Sequence, residues 1–215
     1  MADRLSKAFL FFIAVVIIVV GLTISLSEER YRINVEVHFA SPAELEGIEL
    51  LEKYPNEVTH VALFRFRYSE HGRRDFHFTE DFDVSPDYVV AEIRNGDTFY
   101  CRASFEDGHF VIREEKCSPT LEGALKRRIT LSACVNGTYL GHEIERGSIV
   151  YFLFEASNGT TCVNDTVEVL GRTWGIFARI VSGNVTILCN LENINGTSLT
   201  DEVVTINKEW CGPEN

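Results

Sequence analysis

Hydrophobic and polar positions alternate along most of the chain beyond residue 30, and this alternation predicts β-strands. The clearest run covers residues 31–39, where polar or charged residues separate Tyr31, Ile33, Val35, Val37 and Phe39. A period of two places successive side chains on opposite faces of a strand. Further strands are predicted at 88–94, 97–105, 109–116, 148–156, 161–169, 173–181, 184–190 and 201–208. We therefore predict a mainly β protein, an antiparallel β-sandwich that is Greek-key-like and carries short helical inserts.

One segment has helical spacing instead. Ser41 and Glu44 have the spacing of a capping box, and Pro42 occupies the first helical position. Apolar residues then follow three apart, at Leu45, Ile48 and Leu51. This pattern predicts one amphipathic helix over residues 42–54.

The next segment combines aromatic residues with a turn. His71-Gly72 separates two alternating runs, which carry Ala62, Phe64, Phe66 and Tyr68 before the turn and Phe76 and Phe78 after it. The pattern predicts a β-hairpin with an aromatic face.

The N-terminal part of the chain contains one uncharged apolar run, at residues 8–26. A helix of this length reaches about 28 Å, close to the hydrocarbon thickness of a bilayer, which is about 30 Å. Arg4 and Lys7 precede the run, so the positive-inside rule keeps residues 1–7 in the cytoplasm. We predict a single-pass protein of the cell membrane, with a transmembrane or signal-anchor helix at 8–26 and an extracellular domain at 27–215.

The apolar helix could also be cleaved or processed instead of being retained as an anchor. It is longer than the core of an ordinary signal peptide, but small residues near its end leave cleavage open. Lys7-Ala8-Phe9 followed by an uncharged apolar helix resembles the processing site of archaeal type IV pilins, over residues 7–26 only. The resemblance implies cleavage after Ala8 and packing of the helix into a filament core. The sequence departs from the pilin pattern because the helix is predicted to end near Leu26.

Acceptor sequences for N-glycosylation occur five times, each with threonine as the third residue, at Asn136, Asn158, Asn164, Asn184 and Asn195. Residues 28–135 contain none. Glycans are bulky and require an exposed surface. We predict a sugar-coated C-terminal half and a bare N-terminal half nearer the membrane or a partner; the alternative is that these sequences are simply good turns.

Six cysteines follow the apolar run, at Cys101, Cys117, Cys134, Cys162, Cys189 and Cys211. An even number in an oxidising compartment predicts disulfides. The sequence leaves all fifteen connectivities open.

Composition is compatible with one extracellular domain or with two related β units at 31–115 and 116–215. The second option rests on two short internal sequence similarities. Ser41–Gly47 resembles Ser118–Gly123, and Cys134–Thr138 resembles Cys162–Thr166. The net charge of −12 disfavours nucleic acid and anionic lipid as partners.

The only candidate metal-binding residues in the sequence lie in an acidic run at residues 80–87. Asp81, Asp83 and Asp87 could supply hard oxygen ligands to Ca²⁺, and no other cofactor is indicated. Pro86 stands where a calcium loop needs glycine, so a plain solvated acidic loop is the alternative. The six histidines show no HExxH pattern, and no G-x-S-x-G sequence occurs, so we assign no catalytic residue and predict no enzyme.

These observations favour a non-enzymatic, membrane-anchored cell-surface glycoprotein with a structural, adhesive or complex-forming role. Its partners would be the membrane, through residues 8–26, and other surface proteins or copies of itself. The alternatives are a pilin-like subunit of an extracellular filament and a divalent-cation or ligand-binding module of a membrane complex.

Overall fold

The computed structural model describes residues 30–191 and 201–214. Within these residues the protein is mainly β, and its strands form two curled sheets that a short α-helix separates along the chain. The prediction of a mainly β protein is confirmed.

The first sheet has eight strands: β1 (Tyr31–Glu52), β2 (His60–Tyr68), β3 (Arg73–Phe82), β4 (Tyr88–Asn95), β5 (Asp97–Arg102), β6 (Ser104–Glu106), β7 (His109–Arg113) and β8 (Cys117–Ser118). Their order is β6-β7-β1-β2-β4-β5-β8, and β3 pairs with β1 beside this path. We call residues 31–118 unit 1.

The second sheet has six strands: β9 (Lys126–Glu145), β10 (Ile149–Leu170), β11 (Gly175–Ser182), β12 (Val185–Asn190), β13 (Glu202–Val204) and β14 (Cys211–Pro213). Their order is β13-β9-β10-β11-β12-β14. We call residues 126–213 unit 2. The helix α1 (Leu121–Leu125) lies between the units, and the Thr120 hydroxyl caps it by accepting a hydrogen bond from the Gly123 amide at 3.1 Å.

Each sheet folds over on itself because its long strands change partner or direction midway. Residues 31–38 of β1 pair with β3, whereas residues 43–52 pair with β2. The hairpin of β9 and β10 has a similar break in register between residues 156 and 160. Each curled sheet packs around its own apolar core, so the two units have separate cores.

Both sheets contain parallel pairs, so the antiparallel prediction holds only in part. The parallel pairs are β1–β7, β2–β4, β10–β11 and β9–β13. β2 and β4 have runs of buried residues, Val61–Phe64 and Tyr88–Ile93, in place of clean alternation. Burial on both faces is typical of parallel strands, because other elements cover both sides of the sheet.

The helix predicted over residues 42–54 is wrong, because this segment is the second half of β1. A β-bulge between Leu45 and Gly47 shifts the register of β1 against β2. The extra residue allows Leu45 and Ile48 to pack against the same core although they are three positions apart. A bulged strand therefore imitates helical spacing in the sequence.

The hairpin predicted around His71-Gly72 is wrong in its pairing, because β2 and β3 each pair with β1. The aromatic side chains of the two strands nevertheless meet in the core of unit 1. The ring centroids of Phe66 and Phe76 are 5.1 Å apart, and Phe76 stacks on Phe78 at 5.6 Å. The bend of β1 brings these strands together without direct hydrogen bonding between them.

The two sheets repeat one pattern of pairing. A parallel pair (β2–β4 or β10–β11) continues into an antiparallel hairpin (β4–β5 or β11–β12). A later strand (β7 or β13) lies parallel to the first strand of its unit, and a short last strand (β8 or β14) pairs with the hairpin. Unit 1 and unit 2 therefore share this pairing pattern, although β6 of unit 1 has no counterpart among the described strands of unit 2.

The correspondence extends to individual residues. Cys101 pairs with Ala91 in unit 1, and Cys189 pairs with Ala178 in unit 2. Two residues after each cysteine, a backbone amide donates a 2.8 Å hydrogen bond to the preceding strand, from Ala103 to Val89 and from Leu191 to Ile176. The internal sequence similarity between Ser41–Gly47 and Ser118–Gly123 does not match this structural correspondence, because Ser41 lies in β1 and Ser118 lies in β8.

The units meet through the loop between β1 and β2. The side-chain nitrogen of Asn56 lies 2.9–3.3 Å from three carbonyl oxygens of unit 2, those of Gly147, Leu170 and Arg172. Thr59 accepts a hydrogen bond from the Arg172 amide at 2.9 Å. Gly171 adopts a φ of 75°, and a Cβ there would clash with the Thr59 hydroxyl. The junction is therefore polar and closely fitted.

None of the helices within residues 30–191 and 201–214 is long and apolar enough to cross a membrane. The predicted membrane segment 8–26 and the predicted processing residues Lys7, Ala8 and Phe9 lie outside the described residues.

Candidate functional site

Three of the six histidines surround one carboxylate on the outer face of unit 1. His77 Nδ1 lies 3.5 Å from Glu36 Oε1, and His109 Nε2 lies 3.6 Å from the same oxygen. His38 Nε2 lies 3.7 Å from Glu36 Oε2, and His38 Nδ1 lies 2.8 Å from Asp75 Oδ1. We call these five residues the histidine–glutamate surface.

The register of three neighbouring strands brings these side chains together. Val35 and Val37 of β1 point into the core, so Glu36 and His38 point outward. Antiparallel pairing then sets Glu36 opposite His77 and His38 opposite Asp75, which gives two complementary cross-strand pairs. His109 comes from β7, which lies on the other side of β1.

The histidine–glutamate surface borders a shallow depression of about 370 Å³, which Asn34, Glu36, His77, Thr79, Asp107 and His109 line with polar groups. Arg113 of β7 contributes a fixed positive charge nearby, and its hydrogen bond to Glu106 raises the pKa of its guanidinium.

Carboxylate oxygens accept hydrogen bonds, and imidazole rings can donate or accept them. The histidine–glutamate surface can therefore form hydrogen bonds of both kinds with a macromolecular partner. Within residues 30–191 and 201–214, no group of three or more His, Cys, Asp or Glu side chains is arranged to hold a metal ion.

A second polar cluster lies in unit 2. The Tyr139 hydroxyl donates a 2.5 Å hydrogen bond to Asp165 Oδ2, and His142 Nδ1 lies 2.7 Å from the same oxygen. The hydrogen bond from Tyr139, followed by that from His142, lowers the pKa of Asp165. Burial, followed by the hydrogen bond to Asp165, raises the pKa of Tyr139.

The counterparts of this cluster in unit 1 are apolar. In unit 2, His142 pairs with Phe152 and Tyr139 pairs with Phe154. In unit 1, the equivalent pairs are Ile48 with Phe64 and Leu45 with Phe66, so Ile48 and Leu45 occupy the positions of His142 and Tyr139. The cluster therefore closes the edge of the unit 2 core with hydrogen bonds where unit 1 uses apolar contacts.

The structure does not bring the predicted calcium ligands together. Asp81 is bound by Arg32 at 2.8 Å, and Asp83 lies 3.9 Å from Arg30. Asp87 faces the junction, where it accepts hydrogen bonds from the His60 amide at 2.9 Å and from Arg172 at 3.1 Å. Each carboxylate thus has its own basic or amide partner.

Four of the five predicted glycosylation asparagines lie on exposed positions of unit 2, namely Asn136, Asn158, Asn164 and Asn184. Asn195 lies outside the described residues. Asn136 and Asn164 each follow a cysteine by two positions on the outer face of the β9–β10 hairpin. Their exposure is what attachment of a glycan requires.

The prediction of disulfides is confirmed, and the structure selects one connectivity. The bonds are Cys101–Cys117, Cys134–Cys162 and Cys189–Cys211. The first and third occupy equivalent places in the two units, whereas the second crosses the β9–β10 hairpin.

The histidine–glutamate surface is not among the sites predicted from the sequence. Its only sequence signal is an acidic residue two positions before a histidine on two predicted strands, at Glu36-Val37-His38 and Asp75-Phe76-His77. Their convergence depends on the pairing of β1 with β3 and β7, which single-strand patterns do not contain.

Comparison with protein-family models, with curated proteins and with solved structures finds no match to this chain.

Proposed function

We propose that this protein is a non-enzymatic, membrane-anchored cell-surface glycoprotein with a structural, adhesive or complex-forming role. The observation that carries the proposal is the segregation of two kinds of surface. The described acceptor asparagines are exposed on unit 2, whereas the histidine–glutamate surface lies on unit 1, which has no acceptor sequence.

This segregation suits a protein that makes contacts at one end. Glycans on unit 2 would cover the surface around the acceptor asparagines and keep that unit soluble. Unit 1 would remain open, and its grouped imidazoles and carboxylates would bind a partner of complementary charge. Three disulfides support a location outside the reducing cytoplasm.

The mature N-terminus and the glycopeptides of protein purified from native membranes test the location. Intact and peptide mass spectrometry should find a start at Met1 or Ala2 and glycans on Asn136, Asn158, Asn164 and Asn184. A start at Phe9 would favour the pilin-like filament subunit instead. A start near Leu26 or Glu28, or an absence of glycans, would contradict an anchored glycoprotein.

Cross-linking in native membranes tests the docking role of unit 1. Cross-links to a partner should map to unit 1, and the joint substitution Glu36→Gln with His77→Gln should reduce them severalfold without changing the melting temperature. Glu168→Gln, at an exposed position of β10 in unit 2, is the matched control. Cross-links confined to unit 2, or unchanged in the double variant, would contradict the proposal.

A further inference from the structure

The outer face of the parallel pair in unit 1 is covered by α1. Val61 and Leu63 of β2, together with Tyr88 and Val90 of β4, form an apolar cluster with Ala124 and Leu125 of the helix, and Leu121 packs against its edge. The helix presents these three residues at spacings of three and four, so they share one helical face. One short amphipathic helix is thus sufficient to cover this face.

Strand register identifies the equivalent face of unit 2. In unit 1, Val61 pairs with Tyr88 and Leu63 pairs with Val90. The equivalent pairs in unit 2 are Ile149 with Gly175 and Tyr151 with Phe177. The rings of Tyr151 and Phe177 stack at 5.7 Å. Among residues 30–191 and 201–214, the only α-helix is α1, and it packs on unit 1.

The face in unit 2 opens into a depression of about 310 Å³ beside the junction of the units. Ile149, Phe177 and Trp174 provide its apolar lining, and Glu57 and Arg146 add one charge of each sign. Trp174 is 69% exposed, which is unusual for so large an apolar side chain. Tryptophan beside an apolar pocket is typical of residues that dominate binding energy.

We propose that this depression is a docking site for a short amphipathic helical segment of a partner protein. The segment would present leucine- or alanine-sized side chains at spacings of three and four, as Leu121, Ala124 and Leu125 do in unit 1. Its apolar face would cover Ile149, Trp174 and Phe177, and its polar side chains would meet Glu57 and Arg146. The site is distinct from the histidine–glutamate surface, so it does not depend on the function proposed for that surface.

Fluorescence of Trp174 tests the proposal directly, because Trp174 and Trp210 are the only tryptophans. The full-length protein carrying Trp210→Phe would be titrated with a synthetic peptide of residues 118–127, which contains the α1 sequence. We expect a saturable shift of the emission to shorter wavelength, as the indole leaves water. A peptide with Leu121→Ser and Leu125→Ser is the matched control and should bind at least about tenfold more weakly.

Two protein variants make the test specific. Ile149→Asp, in the lining of the depression, should weaken peptide binding about tenfold or more. Val185→Asp, at an exposed position of β12, should leave binding unchanged. Equal responses to both peptides, or no saturable response in a protein of unchanged melting temperature, would overturn the proposal. A concentration-dependent dimer that Trp174→Ser abolishes would also overturn it, since a second copy would then be the occupant.

Discussion

Arg127 and Glu202 form an ion pair with 2.7 Å between Nη1 and Oε1, and the arginine side chain is completely buried. Arg127 also donates a hydrogen bond to the buried hydroxyl of Thr173. When the strand pairing of unit 1 is aligned with that of unit 2, Ile33 occupies the position of Arg127 and Phe110 occupies the position of Glu202. Unit 2 therefore places a charged contact where unit 1 has an apolar one.

Glu202→Ala should lower the free energy of unfolding by about 3–5 kcal/mol, because it removes the Glu202 carboxylate from a buried guanidinium. Asp201→Ala, one residue earlier, is the matched control. Asp201 is an exposed partner of Arg128, so its loss should cost less than about 1 kcal/mol. Chemical denaturation of both variants measures the difference.

The joint substitution Arg127→Met with Glu202→Leu should restore stability to within about 1 kcal/mol of the original protein, because well-packed apolar residues often replace a buried ion pair without loss. A double variant as unstable as Glu202→Ala would show instead that the charges themselves are needed.

Asn56→Ala should lower the free energy of unfolding by about 2–3 kcal/mol, because three carbonyls of unit 2 lose their side-chain donor at the junction. Asn34→Ala serves as the comparison, since Asn34 is exposed and its side-chain oxygen accepts one hydrogen bond from the Thr79 hydroxyl at 3.0 Å. It should cost about 0.5 kcal/mol or less. Equal effects of the two substitutions would argue that the junction contributes little to stability.

Asp165→Asn should destabilise the protein by about 1 kcal/mol at pH 7, a modest effect because the carboxylate is partly exposed. The hydrogen bond from Tyr139 is the main reason that the pKa of Asp165 is lowered in the folded state. A lowered pKa stabilises the fold above the ordinary aspartate pKa of about 4, and this contribution is lost as the pH falls through the lowered value.

The difference between Asp165→Asn and the original protein should therefore shrink below about pH 4. Denaturation curves between pH 2 and 7 measure it. Asp97→Asn, at an exposed position, controls for the loss of one charge. A difference that stays constant down to pH 2 would contradict a role for the ionised carboxylate.

The disulfide Cys134–Cys162 should be reduced before the other two, because both of its residues lie on the exposed face of the β9–β10 hairpin. Each of the others includes a fully buried cysteine, Cys101 or Cys189. Loops of 16–28 residues give each bond about 3 kcal/mol of stabilisation. Stepwise reduction with alkylation and peptide mass spectrometry gives the order, and early loss of Cys189–Cys211 would contradict it.

Several strand predictions were correct because their signals are local. The alternation at residues 31–39 fixes which side chains of β1 face the core, and β4 begins where its apolar run begins. Glycines mark the turns at Asn95-Gly96 and Asp107-Gly108, where positive φ angles of 75° and 89° favour that residue. The same local reasoning failed at Leu45 and Ile48, because a bulge gives a strand the spacing of a helix.

The sequence by itself determined the mainly β class, the cysteines that form disulfides and the positions of the acceptor asparagines. The tertiary structure alone decided the parallel pairs, the repeated pairing pattern and the disulfide connectivity. It also decided that Glu36 meets His77 and His109 and that Trp174 stays exposed. The physical reason is that alternation and turn preference act between neighbouring residues, whereas strand pairing joins residues far apart in the chain and depends on how each sheet bends around its core.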